Sequence, residues 1–147
     1  MQLVLLLMIG VAAGSLVTVQ NILNATLGRY VGTLGAVLVV AAIGLLIIVA
    51  AVLVVPHAAT LGAMPGPGQW YLYLGGLFGI LIVVVPVFLV PRIGATATIT
   101  AIVVGQLSMA LVADQVGLFG TPRFEITATR LAGVVLLAAG AFLVVRK

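Results

Sequence analysis

From Leu34 to Val55, and again from Leu74 to Val90, a helix drawn on the sequence is apolar on every face. Elements that pack on a soluble core keep a polar stripe for water, so runs without one are built for surroundings as apolar as themselves. Each run approaches the roughly 20 residues needed to cross the ~30 Å hydrocarbon of a bilayer. A transmembrane barrel would instead alternate apolar and polar residues in segments of about ten, which neither run does. The pattern predicts an all-α integral membrane protein.

Breakers and polar clusters divide the chain into five predicted transmembrane helices, at about 3–27, 33–55, 70–90, 94–113 and 125–145, forming a single domain over 1–147. The first turns polar at Thr18, Gln20, Asn21, Asn24 and Thr26 before Gly28-Arg29-Tyr30. The second stops at Pro56, which cannot donate to a helical ladder. The stretch 57–69, with Gly62 and Pro65-Gly66-Pro67-Gly68, reads as the longest connecting loop. The third starts near Trp70-Tyr71, whose amphipathic rings suit the headgroup level, bends at Pro86 and closes at Pro91-Arg92. The fourth ends before Asp114, and the fifth opens at Glu125, where a negative charge favours the positive end of the helix dipole. Met1–Gly14 lacks a basic leader region and its apolar run continues into Val19, so a retained helix is expected rather than a cleaved signal.

Composition removes the other classes. Hydrophobic residues make up 65% of the chain and charged ones 5%, and residues 30–91 carry no formal charge with His57 neutral, against about 25% charged residues in soluble domains. The net charge of +4 comes from Lys and Arg spread singly along the chain, so no basic patch for nucleic acid forms. Five crossings would put Arg29, Arg92, Arg146 and Lys147 on one side and Arg123 on the other, with Arg130, about a turn and a half into the fifth helix, assigned to neither: four against one or two. The excess predicts a cytoplasmic C-terminus and an exterior N-terminus. The same imbalance makes an antiparallel pair of identical chains less favoured and leaves open a partner chain of opposite orientation.

Candidate chemistry is confined to a few polar side chains. Gly14, Thr18, Asn21 and Asn24 or Ala25 follow one face of the first helix, and Gln20 pairs with Asn24 at i, i+4. An amide in hydrocarbon needs a partner, so this group either bonds neighbouring helices near the end of the span or lines a cavity for a solute. Gln106 and Ser108 are a second polar spot, beside Gly105, on a helix whose small stripe of Gly94, Thr98, Ala101, Gly105 and Ser108 suits close helix packing. Gly10 with Gly14, and Gly75 with Gly79, have the GxxxG spacing of packing faces. Asp114 is expected to pair with Arg123 or Arg130, giving a possible polar or ion-pair site at Asp114 and Arg130. His57 has no second His, Cys or carboxylate nearby, and there is no cysteine, so no metal or cofactor site is expected. No nucleophile with a base and orienter, no paired acids and no phosphate loop are present, which argues against an enzyme.

The residues Gln20-Asn21, Asn24 and Gly28, then Gly105-Gln106, Asp114, Gly117-Leu118-Phe119-Gly120 and Arg130-Leu131-Ala132-Gly133, give the chain a likeness across nearly its whole length. It resembles the YdcZ-type branch of the drug/metabolite transporter superfamily. The resemblance implies a bacterial inner-membrane protein of five helices, found in relatives as pairs of short chains or as a ten-helix fusion, with a role in transport. The helix-1 glutamate of the superfamily's four-helix multidrug exporters has no counterpart in Met1–Leu27.

The expected function is that of a secondary transporter moving a small polar solute by alternating access, as a half-transporter dimer of five-helix chains in membrane lipid. The dimer is either a homodimer or a heterodimer with an oppositely oriented five-helix chain. Gln20, Asn21, Asn24, Gln106 and Ser108 are the candidate solute-binding residues, in a site between the first and fourth helices of the two chains. The alternative is a non-transporting membrane subunit that binds a partner protein through its glycine-rich helix faces. A passive channel would need a polar track across the whole membrane, which two clusters do not supply.

Overall fold

Gly32 has φ 75° and ψ 163°, a backbone conformation outside every helix, inside an otherwise helical stretch from Gln2 to Val54 (α1). A straight helix of that length would extend about 80 Å, more than twice the hydrocarbon thickness. The chain does not run straight. Residues eight apart in a straight helix are ~12 Å apart along its axis, yet a Cβ placed on Gly28 would lie 3.9 Å from the Cβ of Ala36. The two limbs of α1 therefore turn sharply on one another through a single residue.

The computed structural model describes residues 2–55, 59–60, 62 and 64–146, so the helix stop expected at Pro56, and the positions of His57 and Lys147, lie outside the described residues. After α1 come a short 3-10 segment Pro67–Tyr73, then α2 (Leu74–Ile93), α3 (Ala95–Val116), a 3-10 turn Leu118–Gly120 and α4 (Ala128–Val145). Among the described residues, four helices are long and apolar enough to cross a membrane. The five expected helices become four because the first two are joined at Gly32 without an intervening loop.

Several expected boundaries move for local reasons. The third predicted helix begins as a 3-10 segment with Pro at its first position, and the Tyr73 hydroxyl donates to the Pro65 carbonyl at 3.0 Å. Pro91 does not close it. The helix carries both Pro86 and Pro91 and runs on to Ile93, since a helix can absorb the loss of one ladder donor at each proline when the rest is held by packing. Arg92 folds back instead, donating to the Phe88 carbonyl and stacking 3.5 Å above the Phe88 ring. At Gly94, φ 84° and ψ 161° break the chain before α3, repeating the one-residue glycine junction seen at Gly32.

The fourth predicted helix does not stop before Asp114; α3 continues to Val116, where Gly117 in the left-handed conformation ends it and donates to the Ala113 carbonyl. Glu125 does not start the fifth. The segment before Ala128 is not helical, because the cap is Thr127, whose side chain accepts from the backbone N–H of Arg130 at 3.2 Å.

The chain divides into two compact units, Met1–Arg92 and Ile93–Lys147. In the first, the buried residues include Asn21, Asn24, Ala25, Ala36, Val37, Pro86 and Val87. In the second, α3 packs along α4 and Thr98 is completely buried, with its hydroxyl donating to the Gly94 carbonyl at 2.8 Å. Most large apolar side chains face outward, Leu34 at 76% and Leu53 at 80% exposure. Such surfaces are ruinous in water and ordinary against lipid tails.

Candidate functional site

In the first unit, α1 carries two of the three amides of its polar cluster into the interior. Asn21 and Asn24, one turn apart, are 8% and 6% exposed, beside Ala25 at 2%. Gln20, the third amide of the cluster, is exposed. The hydroxyls of the same helix are settled internally: Ser15, Thr18 and Thr26 donate to the carbonyls of Val11, Gly14 and Ile22 at 3.0, 3.1 and 2.8 Å. Small residues make the approach possible. A Cβ on Gly28 would stand 2.7 Å from Val87 Cγ1, so α2 reaches the α1 backbone only because residue 28 has no side chain.

In the second unit the polar residues gather where α3 ends and α4 begins. Arg130 Nη2 and Asp114 Oδ2 form an ion pair; Arg123, the other partner considered for Asp114, instead donates its Nε to the Val116 carbonyl at 3.0 Å. Arg130 does not lie a turn and a half into its helix, as a start at Glu125 would have it, but in the first turn of α4. Both members therefore occupy the wrong helix end for their charge: a carboxylate near the negative C-terminus of α3 and a guanidinium near the positive N-terminus of α4. Facing each other, they neutralise what each helix alone would disfavour.

The connection between these helices is pinned to the pair. The Phe124 N–H donates to the Asp114 carbonyl at 2.9 Å, Arg130 Nη1 lies 3.5 Å from the carbonyls of Phe124 and Glu125, and the Ile126 N–H donates to Gln115 Oε1 at 2.8 Å. An open cleft of about 260 Å³ runs inward from the ion pair between Leu107, Leu111 and Val134. A second, apolar cleft of about 420 Å³ lies further along the same helices, lined by residues such as Val103 and Leu137.

Asn21 and Asn24 thus come together, as do Asp114 and Arg130. Gln106 is exposed on α3, and Ser108, also exposed, turns its hydroxyl to the Val104 carbonyl at 2.8 Å; neither lines the cleft beside Asp114. The glycine pairs Gly10 with Gly14 and Gly75 with Gly79 have open space where a side chain would stand. Sequence reasoning missed Gln115, Phe124 and Thr127. A Thr three residues before Arg130 was a legible N-cap signal; the roles of Gln115 and Phe124 depend on the path of the loop and had no sequence signal.

Comparison with curated proteins and with solved structures finds no match. One protein family, described as "Putative inner membrane exporter, YdcZ", matches residues 5–143, a span that takes in the buried amides of α1, the Asp114–Arg130 pair and every helix between. A multi-pass chain of apolar helices with these two polar groups belongs to the YdcZ family of the drug/metabolite transporter class.

Proposed function

We propose that the protein is a secondary transporter that exports a small polar solute by alternating access, working as a dimer of chains that each cross the membrane five times. The observation that carries this reading is the burial of Asn21 and Asn24 within a membrane helix of an exporter-family chain. Polar side chains at membrane depth are expensive and gather on solute pathways. The sharp turn at Gly32 supports five crossings, since each limb of α1 is by itself long enough to span. With five crossings the C-terminus is cytoplasmic by the side preference of Arg29, Arg92 and Arg146, and a reporter fused there is expected to be active only in the cytoplasm.

Gln20, exposed in the single chain, and Gln106 and Ser108, exposed on α3, offer their polar groups to a second chain or to the solute, and neutral amides and hydroxyls suit a solute that does not need a counter-charge. Purified protein reconstituted into vesicles tests the reading. Replacing Gln20, Asn21 and Gln106 together by alanine is expected to abolish solute flux while the dimer persists on crosslinking; unchanged flux removes the site assignment. The open glycine faces favour a second reading, a non-transporting subunit that binds another membrane protein. Vesicles that move no solute, together with stable co-purification of one partner, would select it.

A further inference from the structure

Among the described residues, one buried side-chain polar atom has no hydrogen-bond partner: Nδ2 of Asn24. The residue as a whole is 94% buried. Its neighbours show how the same helix normally settles polar groups, since the hydroxyls of Ser15, Thr18 and Thr26 each donate to the backbone carbonyl four residues earlier. A buried donor left without an acceptor is costly, and native proteins keep few of them. The helix face that carries it is closely packed one turn further on, where Gly28 lies against Val87, and Ala25 beside it is buried as well. Asn21, on the same face one turn away, is buried too. The electrostatic setting is one-sided: residues 1–92 contain no Asp or Glu, and Arg29 follows five residues after Asn24.

We infer that the Asn24 amide is a reserved donor for an acceptor oxygen of the solute, and that this unit recognises solutes that are neutral overall or anionic and carry an exposed carbonyl, N-oxide, sulfonyl or phosphoryl oxygen. Organic cations are excluded, since no carboxylate in residues 1–92 can balance them. This rests on the transporter reading and names its solute class. In the conformation seen, Nδ2 is closed to solvent, so a solute reaches it only when the packing over this face of α1 loosens. The solute then supplies the hydrogen bond that the closed protein lacks, and so has a differential affinity for the open arrangement.

Trimethylamine N-oxide and tetramethylammonium share a shell of methyl groups and differ by an acceptor oxygen in place of one methyl and by net charge. Saturation-transfer NMR on the detergent-solubilised full chain, with empty micelles as the blank, is expected to show binding of the N-oxide and none of the cation. Asn24→Leu and Asn24→Ala are each expected to weaken N-oxide binding about tenfold, the loss of one hydrogen bond. Asn24→Leu is also expected to melt above the wild type, because an unpaired donor has been replaced by methyl groups.

The inference fails if the wild type binds no N-oxide or binds the cation as well, if either variant keeps full N-oxide binding, or if Asn24→Leu melts below the wild type. None of these readouts needs transport. Binding that depends on Asn24 alongside vesicles that move no solute would remove the transporter and keep the recognition point; vesicle flux indifferent to Asn24→Leu would do the reverse.

Discussion

Gly28→Ala is expected to lower the melting temperature of the solubilised protein, by a loss of about 1–3 kcal/mol for overpacking a filled core. Two effects compete. Exchanging glycine for alanine inside a helix gains up to about 1 kcal/mol from propensity, but the added Cβ would stand 2.7 Å from Val87 Cγ1. Val87 is β-branched and buried, so its side chain has no free rotamer to retreat into. The steric term wins. Val87→Ala in the same chain should restore much of the loss, and a double-mutant cycle should return a coupling of about 0.5–3 kcal/mol. Additive effects would mean that the two positions do not touch.

Gly117→Ala should be more damaging still, at about 2–4 kcal/mol, because two penalties act at one residue. Gly117 sits at φ 66° and ψ 48° as it terminates α3, and a side chain there costs about 1–2 kcal/mol through its clash with the backbone. The new Cβ would also meet Arg123 Cγ at 2.7 Å and Nε at 2.9 Å, pushing aside the guanidinium that caps the Val116 carbonyl. Gly117→Asn separates the contributions, since asparagine tolerates the left-handed region but brings the same Cβ. Equal melting of the two variants would show that volume dominates; a milder asparagine variant would show that backbone conformation does. A loss of less than about 0.5 kcal/mol in both would refute the assignment.

The membrane class and the helical segments were legible because charge is excluded from lipid so strongly that its absence over residues 30–91 leaves few alternatives. The junctions were not. Gly32 and Gly94 look like any of the 18 glycines in the sequence, and nothing local marks which of them bends the chain. Pro91 was read as a stop, but the helix passes through it to Ile93, an outcome set by packing rather than by proline itself. For the candidate site, the i, i+3 spacing put Asn21 and Asn24 on one face, and both are buried; the i, i+4 spacing to Asn24 placed Gln20 in the same cluster, and that residue is exposed. Which flank of a polar face turns inward depends on the partner helix, which spacing alone does not specify.

The position of α4 shows a similar limit. Glu125 satisfies the dipole rule for a helix start, yet Thr127 takes the cap because a hydroxyl that accepts an N–H bond satisfies a backbone donor directly, whereas a nearby charge acts only through a field worth a few tenths of a kcal/mol to 1 kcal/mol. The helix start moves from Glu125 to Ala128, and with it Arg130 comes into the first turn, opposite Asp114.

Gly28 and Gly32, four residues apart, encode different information. Nothing lies within 4 Å of the space beside Gly32, so that position has room for a side chain; what it demands is a backbone of the opposite handedness to that of L-amino acids. At Gly28 the demand is for emptiness alone. The constraint at the first is therefore chiral and at the second volumetric, only four residues apart in the chain.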